Sequence, residues 1–334
     1  MKTTARVSIS ILAVLLLIVI IVFAINATDE EIHENTQGML KQLTAQEGFS
    51  LKNFKEWPPA IRFSNYQEYK TDPAKWDQTL AENTHFVELV LKANEVGRVE
   101  IDPNAKFRDH FSTYKLSAHE MFLILVSQKV KQGKKAEAFD LLEKSNHFLV
   151  NIAGTPQSLI NQLIAIACLK TNARFVKTLK DEGLKIPESL KSSFKLHKSA
   201  RELFATGSQF EFLMISTAID DLRKYGLEMT DIAGGNPSAF DRAKNFLSGK
   251  LFRPQQTLNW IADLQPEFLT EACKVKSLDE CSAKYIEITR PKGIDAIINP
   301  VGRSFIEMFL ARYTNTYQKF EYSLKELDKN LAEI

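Results

Sequence analysis

Six histidines, three cysteines and a few acidic clusters are the residues of this chain whose types could do chemistry. His119-Glu120 opens like the His-Glu-x-x-His pair of a zinc protease, in which imidazoles one helical turn apart hold the metal and the glutamate activates water. Position 123 is Leu123, so the second ligand is missing, and Ser117-Ala118-His119-Glu120 reads instead as a capping box. Asp109-His110 has the residue types of a general base with its orienting carboxylate, but no serine or cysteine nucleophile can be assigned to it, because such triads are defined by geometry rather than chain order. Asp109, His110 and His119 are the catalytic candidates of a hydrolase reading. The bland reading, that these are structural side chains, stands beside it.

The other candidates are weaker still. Cys273 and Cys281 could close a small loop around KVKSLDE in an oxidising compartment, leaving Cys168 as a thiol on an apolar helical face. No second cysteine pair or histidine pair sits at zinc-ligand spacing, so no metal is expected. Gly234-Gly235-Asn236-Pro237 lacks the Lys-Ser/Thr of a phosphate-binding loop and the strand of a dinucleotide fold, so no cofactor is expected and the loop reads as a turn. Asp220 and Asp221 are adjacent on a helix and point about 100° apart, which does not make a carboxylate pair.

The elements that must position these residues begin with an anchor. Val7 to Ile25 carries no charge and only two serines, and a helix of that length rises about 28 Å, enough to span the hydrocarbon core. Such a helix satisfies its own backbone hydrogen bonds, as lipid demands. Lys2 and Arg6 precede it, while Asp29, Glu30 and Glu31 follow. That asymmetry keeps the N-terminus in the cytoplasm and exports the rest. A cleavable signal ending at Ile25-Asn26-Ala27 is the competing reading, although its apolar stretch is usually about 7–15 residues.

The remaining 307 residues suffice for a large core. Without Lys2 and Arg6 the basic residues number 41, matching the 41 acidic ones. A neutral exported body offers no electrostatic basis for nucleic acid or for polybasic lipid recognition.

Residues 1–27 are thus read as cytoplasmic tip and anchor, 28–76 as a juxtamembrane stalk with an irregular lead-in, and 77–334 as a helical domain. Trp57, Phe63, Tyr66 and Tyr69 are expected to pack the lead-in onto that domain. From Asp77 the apolar spacing of three and four predicts an all-α fold, with helices near 77–95, 117–132, 135–151, 156–169, 172–182, 188–205, 208–225, 238–249, 255–273, 278–288 and 300–332. Caps are expected at Thr155-Pro156, at Asn299-Pro300 and in the capping box Ser208–Glu211, with stops at Gly133, Gly183, Gly207 and Gly226. FLILVSQKVKQGKKAEAFDLLEKS resembles one tetratricopeptide hairpin, with no second copy at the 34-residue period. The last helix carries Phe305, Phe309, Tyr313, Thr316, Phe320, Leu324, Leu327 and Leu331 in an eleven-residue rhythm, the stripe of an almost straight helix laid on a core.

Three stretches, TPQSLINQLIAIACLK at 155–170, LFRPQQTLNWIADL at 251–264 and NPVGRSFIEMFLARYTNTYQKFEYSLKELDKNL at 299–331, resemble a family of uncharacterised, N-terminally anchored helical proteins of Gram-negative proteobacteria. The resemblance implies an inner-membrane protein with its domain in the periplasm and carries over no catalytic residue. The expected function is a protein-binding or scaffolding module of the envelope. A periplasmic hydrolase, or a carrier of a small apolar ligand held between helices, is the alternative.

Overall fold

The computed structural model describes residues 17, 19–41, 44–54, 56–103, 113–225, 251–270 and 298–334. Among them every regular element is helical, as the apolar periodicity predicts. Extended pairing is confined to two isolated bridges, Gln46 with Ile101 and Phe49 with Val99. Two compact units result. One comprises Met1–Lys41 and Phe212–Asn315, the other Gln42–Glu211 and Thr316–Ile334.

The second unit contains α2 (Tyr66–Thr71), α3 (Pro73–Glu82), α4 (Thr84–Val96), α5 (Leu116–Lys131), α6 (Lys135–Gly154), α7 (Leu159–Asp181), α8 (Glu188–Ser192) and the first part of α9 (Ala200–Tyr225). The end of α11 (Pro300–Ala332) completes it. Met121, Phe122, Leu123, Ile124 and Val126 of α5 are all fully buried. Apolar residues on every side of one turn identify a central helix rather than a surface one. Helices α4, α6 and α7 accordingly pack around it.

The hairpin of α5 and α6 is present, and it closes at Gly133, whose φ of +77° is the left-handed conformation expected at a helix end. Gly183 plays the same part after α7 with φ of +80°. Gly207 does not. It lies inside α9, where a Cβ would collide with Gln162 and Leu159 of α7. The glycine permits close approach of two helices instead of ending one.

Three caps are also displaced from their expected positions. Helix α5 starts at Leu116 without a side-chain cap, so Ser117 lies within the first turn and caps nothing. Thr155 follows the end of α6, and α7 is capped by Ser158 through the Asn161 N–H. Ser208 lies mid-helix, and the working capping box is Ser199–Glu202, with Glu202 accepting from the Ser199 N–H at 2.7 Å and Ser199 Oγ accepting from the Glu202 N–H at 3.3 Å. Residues 159–181 also form one helix where two were expected.

The lead-in is well packed. Phe49, Phe54, Tyr114 and Phe148 form an aromatic cluster with centroids 5.3–6.1 Å apart, and Phe63 meets Trp76 edge-on. Phe63, Tyr66 and Tyr69 are buried as expected. Trp57 is the correction: it is 79% exposed and carries the Lys115 ammonium over its ring.

The terminal helix spans 300–332 as predicted. Within the second unit Phe320 and Leu327 are buried, and Phe320 and Tyr317 meet Phe204 of α9 edge-on. Beside that stripe Lys170 and Lys177 of α7 pair with Glu326 and Glu333.

The first unit contains helical residues 19–26, α1 (Glu34–Lys41), the end of α9, α10 (Pro254–Thr270) and the start of α11. Helices α1 and α10 pack together. Asn299 caps α11 as its Asn-Pro sequence predicts, with its side-chain Oδ1 accepting from the Gly302 N–H at 3.1 Å. No helix among the described residues is long and apolar enough to cross a membrane, and most of Val7 to Ile25 lies outside them.

Candidate functional site

His119 is fully buried on α5, and both of its ring nitrogens are engaged. Its Nε2 lies 2.8 Å from Asn172 Oδ1 on α7, and its Nδ1 lies 3.3 Å from the Tyr114 hydroxyl. The Asn172 amide donates onward to Asn146 Oδ1 of α6 at 2.8 Å, and Asn146 donates to Ser193 Oγ at 2.9 Å. Ser193 in turn donates to the Leu190 carbonyl at 2.6 Å.

These bonds fix the tautomer. Because Asn172 spends its NH2 on Asn146, its oxygen must accept, so His119 carries its proton on Nε2 and accepts the Tyr114 hydroxyl at Nδ1. The result is a chain in which every donor points the same way, from Tyr114 to Leu190. Burial holds the His119 pKa down at about 4, against a smaller upward pull from Asn172. The imidazole is neutral at physiological pH and its proton is committed to an amide oxygen. Such a chain fixes three helices in register, since shifting any one of them strands a buried polar group.

Glu120, the next residue, behaves differently. Half-buried at the edge of α5, it takes a hydrogen bond from the Phe63 backbone rather than closing a capping box. Burial raises its pKa to about 7, opposed by the Phe63 N–H and Arg62 and reinforced by Glu68. It can therefore gain or lose a proton near neutral pH. Nothing in its spacing reveals this, because the segment that buries it is more than fifty residues away in the chain. Cys168 is a free thiol buried on α7, pushed well up in pKa by burial and by Glu120. It is accordingly a thiol, not a thiolate nucleophile.

Asp109, His110, Cys273 and Cys281 lie outside the described residues, as does Gly234–Pro237. The remaining histidines do not join His119. His33 stands 3.6 Å from Asp263, His85 lies 3.7 Å from Glu56, His147 lies 3.9 Å from Glu143, and His197 is exposed. Asp220 and Asp221 fall within α9. Among the described residues no group of three or more histidine, cysteine or acidic side chains is arranged to hold a metal.

A second polar cluster lies in the first unit, where the chain leaves helical residues 19–26. The Asn26 side chain donates back to the Val22 carbonyl at 2.8 Å and accepts from the Asn299 N–H at 2.7 Å. Asp29 accepts from the N–H groups of Gln255 and Gln256 at 2.9 and 3.0 Å, so its negative charge sits on the N-terminus of α10. Asn259 accepts from the His33 N–H and the Thr36 hydroxyl, and donates to the Glu31 carbonyl. Asn299 is the hub. Fully buried at a φ of +48°, it also accepts from the Arg253 N–H and donates to the Arg253 carbonyl and to Thr257 Oγ1.

Gly302 lets this hub form, since a Cβ there would run into Thr257 and Asn299. Arg303 completes the edge, with Nε donating to the Ile298 carbonyl at 3.1 Å and the guanidinium 4.6 Å over Trp260. The Asn-Pro-x-Gly-Arg sequence signals the helix start. Its partners, Asn26 and Arg253, carry no sequence signal of their own.

Comparison with protein-family models, with curated proteins and with solved structures finds no match to this chain.

Proposed function

We propose that this chain is a membrane-anchored scaffold: Val7 to Ile25 stays in the lipid of an inner membrane and holds the helical units on the periplasmic side, where they bind another envelope protein. The observation that supports this reading is the polar cluster at residues 26–36. An exported domain on a loose stalk needs no long-range hydrogen bonds immediately after its apolar segment. Here Asn26, Thr28, Asp29, Glu31 and Thr36 are each bonded to α10, to Arg253 just before it, or to Asn299. Cleavage at Ile25-Asn26-Ala27 would separate Asn26 from Asn299 and remove a buried partner, which favours retention over a processed signal. The order Lys2 and Arg6 before the segment, and Asp29 to Glu31 after it, supplies the direction.

The scaffolding part rests on the chemistry of the described core. Its most elaborate polar arrangement, from Tyr114 to Leu190, is closed on itself and serves helix register. The hydrolase alternative built on Asp109, His110 and His119 draws no support from His119, whose nitrogens are both occupied. The test is crosslinking of the full chain in intact membranes followed by mass spectrometry. A stoichiometric protein partner on the helical units supports the reading, and recovery of none at any crosslinker length refutes it.

A further inference from the structure

Resting on the anchor reading above, we propose that Arg253 and Trp260 form a phospholipid headgroup contact that seats the first unit directly on the bilayer surface around the exit of the apolar segment. Arg253 Nε donates to the Thr28 carbonyl at 2.5 Å. Thr28 is two residues beyond Asn26, where the helical residues 19–26 end, and two residues of chain reach at most about 7 Å. With residues 7–25 in the hydrocarbon, a guanidinium fixed to Thr28 lies in the headgroup layer, which is about 5–7 Å deep on each face of the bilayer. That is the level of the lipid phosphates.

The donor geometry suits a phosphate. Arg253 uses Nε on Thr28 and Nη1 on Gln256 Oε1 at 3.3 Å, while Nη2 has no partner among the described residues. Those two bonds hold the fork rigid, so engaging a phosphate oxygen costs little side-chain entropy. Two of the nearby carboxylates are directed elsewhere, Asp29 to the N–H groups that start α10 and Glu30 to the Gln256 amide.

Trp260 is tied to the same exit by a different route. Arg303 lies over its ring and bonds to Ile298, whose neighbour Asn299 donates to Asn26. A half-buried indole linked to that exit suits the preference of tryptophan for the membrane–water boundary. Because the exported body is neutral, the contact is made by phosphates common to zwitterionic and anionic lipids and does not depend on net negative charge.

The test uses the full chain reconstituted in phosphatidylcholine vesicles that contain a lipid with a nitroxide on its headgroup. The headgroup nitroxide is expected to quench a component of the tryptophan emission that vanishes in W260F. That quenching is expected to be lost in R253Q, partly kept in R253K, and unchanged when phosphatidylglycerol replaces part of the phosphatidylcholine. Unquenched Trp260 in protein that resists alkaline carbonate extraction overturns the contact and leaves the anchor reading standing. Release of the protein by carbonate overturns both. If R253Q fails to fold, the comparison of the original chain with W260F still decides whether the contact exists.

Discussion

Asn299 donates its backbone N–H to the side-chain oxygen of Asn26 at 2.7 Å, joining positions 273 residues apart in the chain. The bond couples the end of helical residues 19–26 to the first turn of α11. Asn299 also holds a positive φ that asparagine tolerates and alanine does not. N299A removes the cap of α11 and leaves the Arg253 N–H without its acceptor, while Thr257 Oγ1 keeps its bond to the Arg253 carbonyl. It is expected to lower unfolding free energy in urea by about 2–3 kcal/mol, combining a lost cap with one unsatisfied N–H. N299D keeps the acceptor that caps α11 and is expected to lose less.

The chain from Tyr114 to Leu190 predicts an acid limb. His119 has its pKa depressed from 6.5 to about 4 in the folded state, so folding excludes the protonated imidazole. Its contribution is complete above pH 6.5 and is eroded as pH falls from there to 4. H119F abolishes this part of the pH dependence. It also leaves the Tyr114 hydroxyl and the Asn172 oxygen without their partner, at a cost of about 2–4 kcal/mol at pH 7. Urea unfolding of both forms between pH 4 and 8 measures both effects.

Glu120 has the opposite sign. Its folded pKa is raised from 4.5 to about 7, so the ionised form is disfavoured and stability falls as pH rises from 4.5 through 7. E120Q is expected to be more stable than the parent chain at pH 8 and indistinguishable from it at pH 4. The gain is small because the side chain is only half-buried and water screens its charge. Thermal melts at the two pH values check it.

Much of the helical architecture is legible in the sequence because apolar spacing records which face is buried. The terminal helix and the ends at Gly133 and Gly183 follow from that spacing and from glycine's conformational freedom. The misassigned signals share one cause. Gly207 and the serines 117 and 208 have the residue types of helix boundaries, and only tertiary neighbours decide whether those types act as boundaries. Gly207 faces Gln162 and Leu159 across a helix contact, while Glu211, expected to close a box with Ser208, accepts from the Leu159 N–H at 3.0 Å. Local pattern is equally blind to units assembled from segments far apart in the chain. For the same reason the partners of Asn26, Asp29 and Glu120 could not be read in advance.

Gly207 gives a direct test of that explanation. Alanine is the better helix former by about 1 kcal/mol, so if Gly207 were only a weak point in α9, G207A would stabilise the protein. The close approach of α7 predicts the reverse, a loss of about 1–3 kcal/mol from overpacking. The midpoint and slope of urea unfolding distinguish the two.

The proposed function turns on whether the apolar segment stays in a membrane and on which side the helical units then lie. Alkaline phosphatase fused behind Ile334 reports that side directly, because the enzyme acquires its disulfides only outside the cytoplasm. The expected result is an active fusion that stays with the membrane after carbonate extraction and retains its N-terminal residues by intact mass. A fusion that is inactive although full-length, or an active one that has lost residues 1–27, would contradict it.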